Sequence, residues 1–151
     1  RKEALSIIRK HRLAESFLVE VMGMGWEEVH DIAEQLEHIE SETFYNRIDE
    51  MLGKPKVDPH GEPIPDVDGK VDSRKRLSLS DVSAGASATI TAVSDDEKSF
   101  LDHLNNKGLQ IGDTVTVRKK EEFDRSLIIA RGKKETMLTE QVASRIWVEI
   151  G

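Results

Sequence analysis

Apolar residues at the start of the chain recur every three or four positions, which is the spacing of one buried face of an α-helix. This pattern predicts an amphipathic helix over residues 2–22. A second helix is expected from about Trp26 to about Ile39, because the acidic residues that follow Trp26 suit the positive end of a helix dipole. Ser41 is typical of a helix N-terminus and predicts a third helix that stops at Gly53. The first part of the chain is therefore expected to be helical.

The rest of the chain follows a different pattern, with β-branched residues and a period of two. All four prolines lie between residues 54 and 65, so residues 54–75 are expected to be a linker or an extended strap. Four short strands are predicted beyond it, together with a helix; they cover residues 88–93, 114–117, 127–130 and 146–150, and the helix covers 98–106. The predicted fold class is α+β, with a three-helix unit (1–53), a Pro-rich linker (54–75) and a small β-barrel (76–151).

Composition limits the kinds of protein that this chain can be. It has 151 residues, no cysteine and a formal net charge of −7. Without cysteine, a metal ion has to be held by His, Asp and Glu side chains. Neither a signal peptide nor a run of about 18 apolar residues is found, so the chain is expected to be cytoplasmic, with no membrane partner. The excess of acid argues against a DNA-binding surface on these residues.

The negative charge is concentrated on the predicted helices, where residues 1–53 contain six basic and twelve acidic side chains. Within them, His11 and Glu15 are one helical turn apart. A longer stripe lies within about 100° of one face of the second helix. It consists of His30, Glu34, Glu37 and His38.

The ordinary interpretation of such a stripe is a solvated polar face. The alternative is a metal site, because carboxylates at this spacing repel one another and a bound dication would reverse that repulsion. The spacing alone leaves both interpretations open. A zinc-peptidase motif does not fit, since Glu34 stands where H-x-x-E-H requires its first histidine. A ferritin-like di-iron site needs four helices, whereas three are predicted. No enzymatic function is therefore expected.

Several segments together closely resemble the dimerisation domain of the diphtheria toxin repressor family, whose members are iron- or manganese-dependent transcriptional regulators. They are R-K-H-R-L-A-E at 9–15, E-V-H-D at 28–31, E-Q-L-E-H at 34–38 and P-H-G-E-P-I-P at 59–65. Residues 76–151, with G-L-Q-I-G-D before a strand, look like the SH3-like third domain found in many family members and in small ferrous-iron-transport accessory proteins. The resemblance implies a metal-dependent repressor of metal-uptake genes.

The resemblance also implies two metal sites. Family alignment places Glu34, Glu37 and His38 on the primary, activating site, and His11, Glu15 and His30 on the ancillary site. In the family, a turn near the start of the third domain can add an oxygen ligand to the ancillary site, for which Asp95 is the first candidate and Asp96 the next. His60 and His103 have no partner pattern and are interpreted as surface or loop residues.

Position 34 bears on the identity of the metal. Iron-responsive members of the family carry a cysteine there, whereas manganese-responsive members carry a glutamate. Hard oxygen ligands suit Mn²⁺, so Glu34 predicts a manganese-responsive regulator, with Fe²⁺ as the alternative.

A homodimer is expected, because the helices carry more apolar surface than three helices can bury among themselves. The residues concerned are Ile7, Ile8, Phe17, Val21, Phe44 and Met51. Arg1 stands where a family member has just left its winged helix-turn-helix. Operator DNA is therefore expected to bind the full-length protein through a preceding N-terminal domain, and the primary site is expected to be incomplete here. An adaptor that binds metal or peptides is the alternative from a different class.

Overall fold

The computed structural model describes residues 2–70, 76–94 and 97–150. The chain forms two compact units, one of residues 1–74 with 96–98 and the other of residues 75–95 with 99–151. The helical unit contains α1 (Lys2–Glu20), α2 (His30–Leu36) and α3 (Glu42–Met51). Helices α1 and α3 lie where the sequence places them. The N-terminus of α3 is capped as expected, because the Ser41 hydroxyl accepts a hydrogen bond from the Phe44 amide at 3.2 Å.

Helix α2 is shorter than predicted at both ends. Instead of starting near Trp26, the chain forms a turn that the Glu28 carboxylate stabilises by accepting the Gly25 amide at 2.9 Å. This local hydrogen bond competes with a helical continuation. After Leu36 the chain turns again, and the Leu36 carbonyl accepts the hydroxyl of buried Tyr45.

The helical unit has two apolar clusters, one on each side of α1. Ala14 and Leu18 pack against Val29 and Ala33. On the other side Leu13 packs against residues of α3 and the strap, which are Tyr45, Ile48 and Ile64. Helix α1 is therefore the central element of this unit.

Over its described part, residues 54–70, the Pro-rich segment is an ordered strap. Val57 and Pro63 form an isolated antiparallel bridge. The Ile64 amide donates to the Lys56 carbonyl at 2.8 Å, and the Arg12 side chain donates to the Pro63 carbonyl. The bond from Arg12 holds the strap against α1, and the other two contacts lie within the strap.

The second unit is a six-stranded antiparallel sheet of order β1-β6-β2-β3-β4-β5. Its strands are β1 (Leu77–Ser78), β2 (Ser87–Val93), β3 (Thr114–Lys120), β4 (Leu127–Arg131), β5 (Lys134–Leu138) and β6 (Ile146–Ile150). It also contains a 3-10 turn (Leu79–Asp81), α4 (Lys98–Asn106) and α5 (Glu140–Ala143).

The predicted α+β class is confirmed, and helix α4 has the predicted bounds. Strands β1 and β5 were not predicted. Strand β1 has only two residues, and β5 is an edge strand in which only Leu138 is buried, so neither has a strong apolar pattern. Among the described residues, no helix is long and apolar enough to span a bilayer.

Candidate metal centre

The centre of the candidate site is Glu15, a carboxylate that is only 2% exposed. It lies on α1 between the buried residues Ala14 and Leu18, so the periodicity that packs α1 against α2 also takes Glu15 into the interior. A buried carboxylate is unfavourable unless charges or hydrogen bonds compensate for the loss of water. Its surroundings should therefore supply positive or polar groups.

Two imidazoles flank the Glu15 carboxylate. His11 Nε2 lies 3.4 Å from Oε2, one helical turn earlier on α1. His60 Nδ1 lies 3.7 Å from the other oxygen, Oε1. Burial alone would raise the pKa of Glu15, but the two histidines outweigh it and lower that pKa to about 2. The carboxylate is therefore ionised at neutral pH.

His11, Glu15 and His30 form the first group of potential metal ligands. One ligand atom from each lies within 4.8 Å of the other two. The rings of His11 and His30 meet edge to face, with their centroids 5.0 Å apart. The structure thus brings together the three residues that the family alignment assigns to the ancillary site.

A second group consists of Glu15, Asp58 and His60, all of them buried, and its ligand atoms also lie within 4.8 Å of one another. Asp58 Oδ1 accepts the amides of His60 and Glu62 at 2.8 and 2.9 Å. Asp58 Oδ2 lies 3.9 Å from His60 Nδ1. Burial raises the pKa of Asp58 from its ordinary value. Glu15 therefore belongs to both groups.

His60 does lie in a turn, but it is not a surface residue, because it is only 2% exposed. Its Nε2 donates to the Trp26 carbonyl at 2.9 Å, and its ring stacks on the Trp26 indole. Nδ1 is consequently the nitrogen that faces the carboxylates. Burial by itself would lower the pKa of His60, but Asp58 and Glu15 raise it to about 10.

Asp58 and His60 are thus site residues that pattern reasoning missed. The P-H-G-E-P-I-P segment contributed to the resemblance, yet no helical spacing relates it to Glu15. The available signal was a histidine two residues after an aspartate in a Pro-rich segment. His103, the other histidine without a partner pattern, is half-buried in α4 and is not a loop residue.

The three residues assigned to the primary site form no such group within the described parts of the chain. Glu34 and His38 are exposed, and α2 ends before Glu37 and His38. Glu37 Oε1 instead lies 3.6 Å from His11 Nδ1. Glu34 Oε2 lies 3.8 Å from His30 Nε2, in a group with Asp31 whose two carboxylates are exposed and whose histidine is half-buried. Asp95 and Asp96 lie outside the described residues.

The residues around Glu15 fit a divalent metal ion. Imidazole nitrogens and carboxylate oxygens are the donors that such ions take from a chain without cysteine. Glu15 Oε2 is buried and accepts no hydrogen bond from the described residues. A cation beside this oxygen would compensate for the missing hydrogen bond.

The fold and the site define a class of protein that combines a helical metal-binding unit with an SH3-like unit. Residues 1–66 match the family model for the metal-binding and dimerisation domain of iron-dependent repressors, and residues 77–150 match the FeoA domain. The chain is 30% identical to the iron-dependent repressor IdeR of Mycobacterium leprae over 161 aligned residues, which cover 99% of this chain and 70% of that protein. The chain therefore belongs to the diphtheria toxin repressor family of metal-dependent transcriptional repressors, as its motifs predicted.

Solved structures agree with this assignment. A manganese-dependent transcriptional repressor in complex with manganese matches with a TM-score of 0.92 at 35% identity, over 99% of this chain and 72% of that one. ScaR with bound Cd²⁺ matches with a TM-score of 0.85 at 33% identity, over 98% and 69%. The relatives thus include proteins named for iron and for manganese.

Proposed function

We propose that this chain senses Mn²⁺ and forms the dimer of a repressor that controls metal-uptake genes. The observation that carries the proposal is the buried carboxylate of Glu15 with imidazoles on both sides. Two observations support this function. The chain belongs to a family of metal-dependent repressors, and its buried side chains offer nitrogen and oxygen donors. Glu34, a hard ligand at the position where iron-responsive members carry cysteine, favours manganese over iron.

In this proposal His11, Glu15 and His30 hold one metal ion, and Asp58 and His60 contribute to the same centre. Glu15 is suited to link the two groups, because each of its oxygens faces a different histidine. The metal would supply a positive charge that joins α1, α2 and the strap. In the intact repressor, this ligation would favour the DNA-bound arrangement by thermodynamic linkage.

The exposed apolar residues of the helical unit support dimerisation. Ile7, Val21 and Met51 are 51%, 50% and 64% exposed. Phe44 is 36% exposed, whereas Ile8 and Phe17 are half-buried. An apolar surface of this kind on a small unit marks an interface. A second copy of the chain would remove it from water.

The test of the metal centre is calorimetric titration of Mn²⁺ into the metal-free chain and its Glu15→Gln variant. The substitution keeps the shape of the side chain and removes its charge, so the Mn²⁺ affinity should fall at least about tenfold. Glu20→Gln, an exposed change on the same helix, is the matched control and should leave the affinity unchanged. Equal affinities for the wild type and the Glu15→Gln variant, with circular dichroism showing that both are folded, would contradict the proposed centre.

The choice of metal is tested separately with the intact repressor and operator DNA. Mn²⁺ should promote binding to the operator more strongly than Fe²⁺ at matched free concentrations. Equal promotion by the two ions would remove the manganese assignment while leaving the metal centre in place.

A further inference from the structure

A pocket of about 620 Å³ in the helical unit shares no residue with the potential ligand groups. Its walls come from α1, from the end of α3 and from both limbs of the strap. Four cationic side chains line it: Arg9, Lys54, Lys56 and Lys70. This concentration of positive charge is unusual for a unit in which residues 1–53 have twice as many acidic as basic side chains.

Acidic groups neutralise only part of this charge. Two carboxylates line the pocket, those of Asp49 and Asp66. Asp49 Oδ2 lies 3.4 Å from the guanidinium of Arg9, a residue that is only 6% exposed. Asp66 Oδ1 already accepts the amides of Asp68 and Lys70, both at 2.9 Å. The pocket therefore has a surplus of two positive charges.

None of the three lysines forms an ion pair with any residue in the described parts of the chain. Their backbone positions are nevertheless fixed. The Lys54 amide donates to the Asp49 carbonyl at 2.8 Å, the Lys56 carbonyl accepts the Ile64 amide at 2.8 Å, and the Lys70 carbonyl accepts the Asp66 amide at 2.9 Å. The fold thus holds the backbone of all three lysines at the wall of one cavity.

Lys54 also has an unusual backbone conformation. Its φ is +55°, directly after Gly53 at +72°. The left-handed region is unfavourable for a lysine, and residues kept in it are concentrated at functional sites. A glycine or an asparagine would adopt this backbone conformation with less strain. The turn alone therefore does not explain why a lysine occupies position 54.

We propose that this pocket binds a small phosphate ester, which goes beyond metal sensing. Arginine and lysine together are the usual donors to a phosphoryl group, and a dianion would match the surplus of two charges. The pocket is larger than a phosphate group needs, and its remaining wall is apolar, with Pro55, Ile64 and Val67. That wall would contact the organic part of the ester.

The test is calorimetric titration of the metal-free chain at constant ionic strength with three probes: adenosine monophosphate, inorganic phosphate and adenosine. The proposal requires saturable binding of the monophosphate, weaker binding of inorganic phosphate and none of adenosine. Absence of saturable binding of the monophosphate up to millimolar concentration would overturn it. Binding of inorganic phosphate with no binding of the monophosphate would also overturn it, because the ester would then not fit.

A pair of charge variants shows whether binding occurs in this pocket. Lys56→Gln with Lys70→Gln should weaken the monophosphate at least about tenfold, since each lost contact is a charge-assisted hydrogen bond. The matched control, Lys133→Gln with Lys134→Gln, makes the same charge change at exposed positions of the sheet unit. It should leave the affinity unchanged. Equal weakening by both pairs would show that net charge alone attracts the anion and would overturn the proposal.

Discussion

Ionisable residues in the interior of the helical unit compensate for one another. Glu15, Asp58 and His60 are 2%, 6% and 2% exposed, and none of them would be stable there as an isolated charge. In the metal-free chain His60 compensates for the burial of the two carboxyl groups, because its Nδ1 lies 3.7 Å from Glu15 Oε1 and 3.9 Å from Asp58 Oδ2. A divalent metal ion bound by the same side chains would also compensate for their burial.

His60→Gln separates the contribution of the strap from that of α1. Because His60 Nδ1 faces Glu15 and Asp58, the substitution should lower the Mn²⁺ affinity at least about tenfold. The measurement is the same Mn²⁺ titration, with circular dichroism to show that the variant is folded. His103→Gln, on α4 of the other unit, is the matched control and should bind like the wild type. An unchanged affinity in the His60 variant would limit the centre to the group of His11, Glu15 and His30.

Among the elements, α1 connects every part of the helical unit. One side packs on α2, the other packs on α3 and the strap, and its Glu15 belongs to two of the three potential ligand groups found among the described residues. Helices α2 and α3 are short, with seven and ten residues, so their stability depends on packing, and in α3 also on its cap, more than on propensity.

Ser41→Ala tests the cap of α3. The Phe44 amide would lose its acceptor, and the free energy of unfolding of the metal-free chain should fall by about 1 kcal/mol. Chemical denaturation followed by circular dichroism measures this change. Ser83→Ala, at an exposed position outside any helix, should change the stability by less than about 0.5 kcal/mol. If the two variants are equally stable, the hydroxyl of Ser41 does not cap the helix in solution.

The whole molecule combines two units of similar size but different charge and surface. Residues 1–53 have six basic and twelve acidic side chains and so account for most of the net charge of −7, and they include the exposed apolar residues of α1 and α3. The sheet unit has nearly equal numbers of acidic and basic residues. Metal sensing and self-association are therefore both proposed for the helical unit.

Met51→Glu tests the proposed dimer. A charge placed in an apolar interface leaves an unpaired buried carboxylate, so the dimer dissociation constant should rise at least about tenfold. Light scattering coupled to gel filtration, over a range of protein concentrations, measures the mass. Met137→Glu is the matched control, because this methionine is 53% exposed on β5, compared with 64% for Met51. A Met51 variant that stays dimeric, or a control that dissociates, would place the interface elsewhere.

Local rules in the sequence determined much of this protein. The three-to-four spacing predicted α1, Ser41 predicted the start of α3 and its cap, and the alternating pattern predicted four of the six strands. The proximity of His11 and Glu15 was also predictable, because residues four apart on a helix are neighbours. The motifs placed the chain in its family.

Tertiary structure decided what depends on contacts between distant segments. His60 and Asp58 join Glu15 only because the strap folds back on α1, and no periodicity relates these positions. Likewise, α2 ends at Leu36 in a turn where the His38 amide donates to the Gln35 carbonyl, and Glu34, Glu37 and His38 of the expected primary site form no group of potential ligands among the described residues. Local patterns in the sequence indicate which face of an element is buried. Which other segment of the chain covers that face depends on the packing of the whole unit.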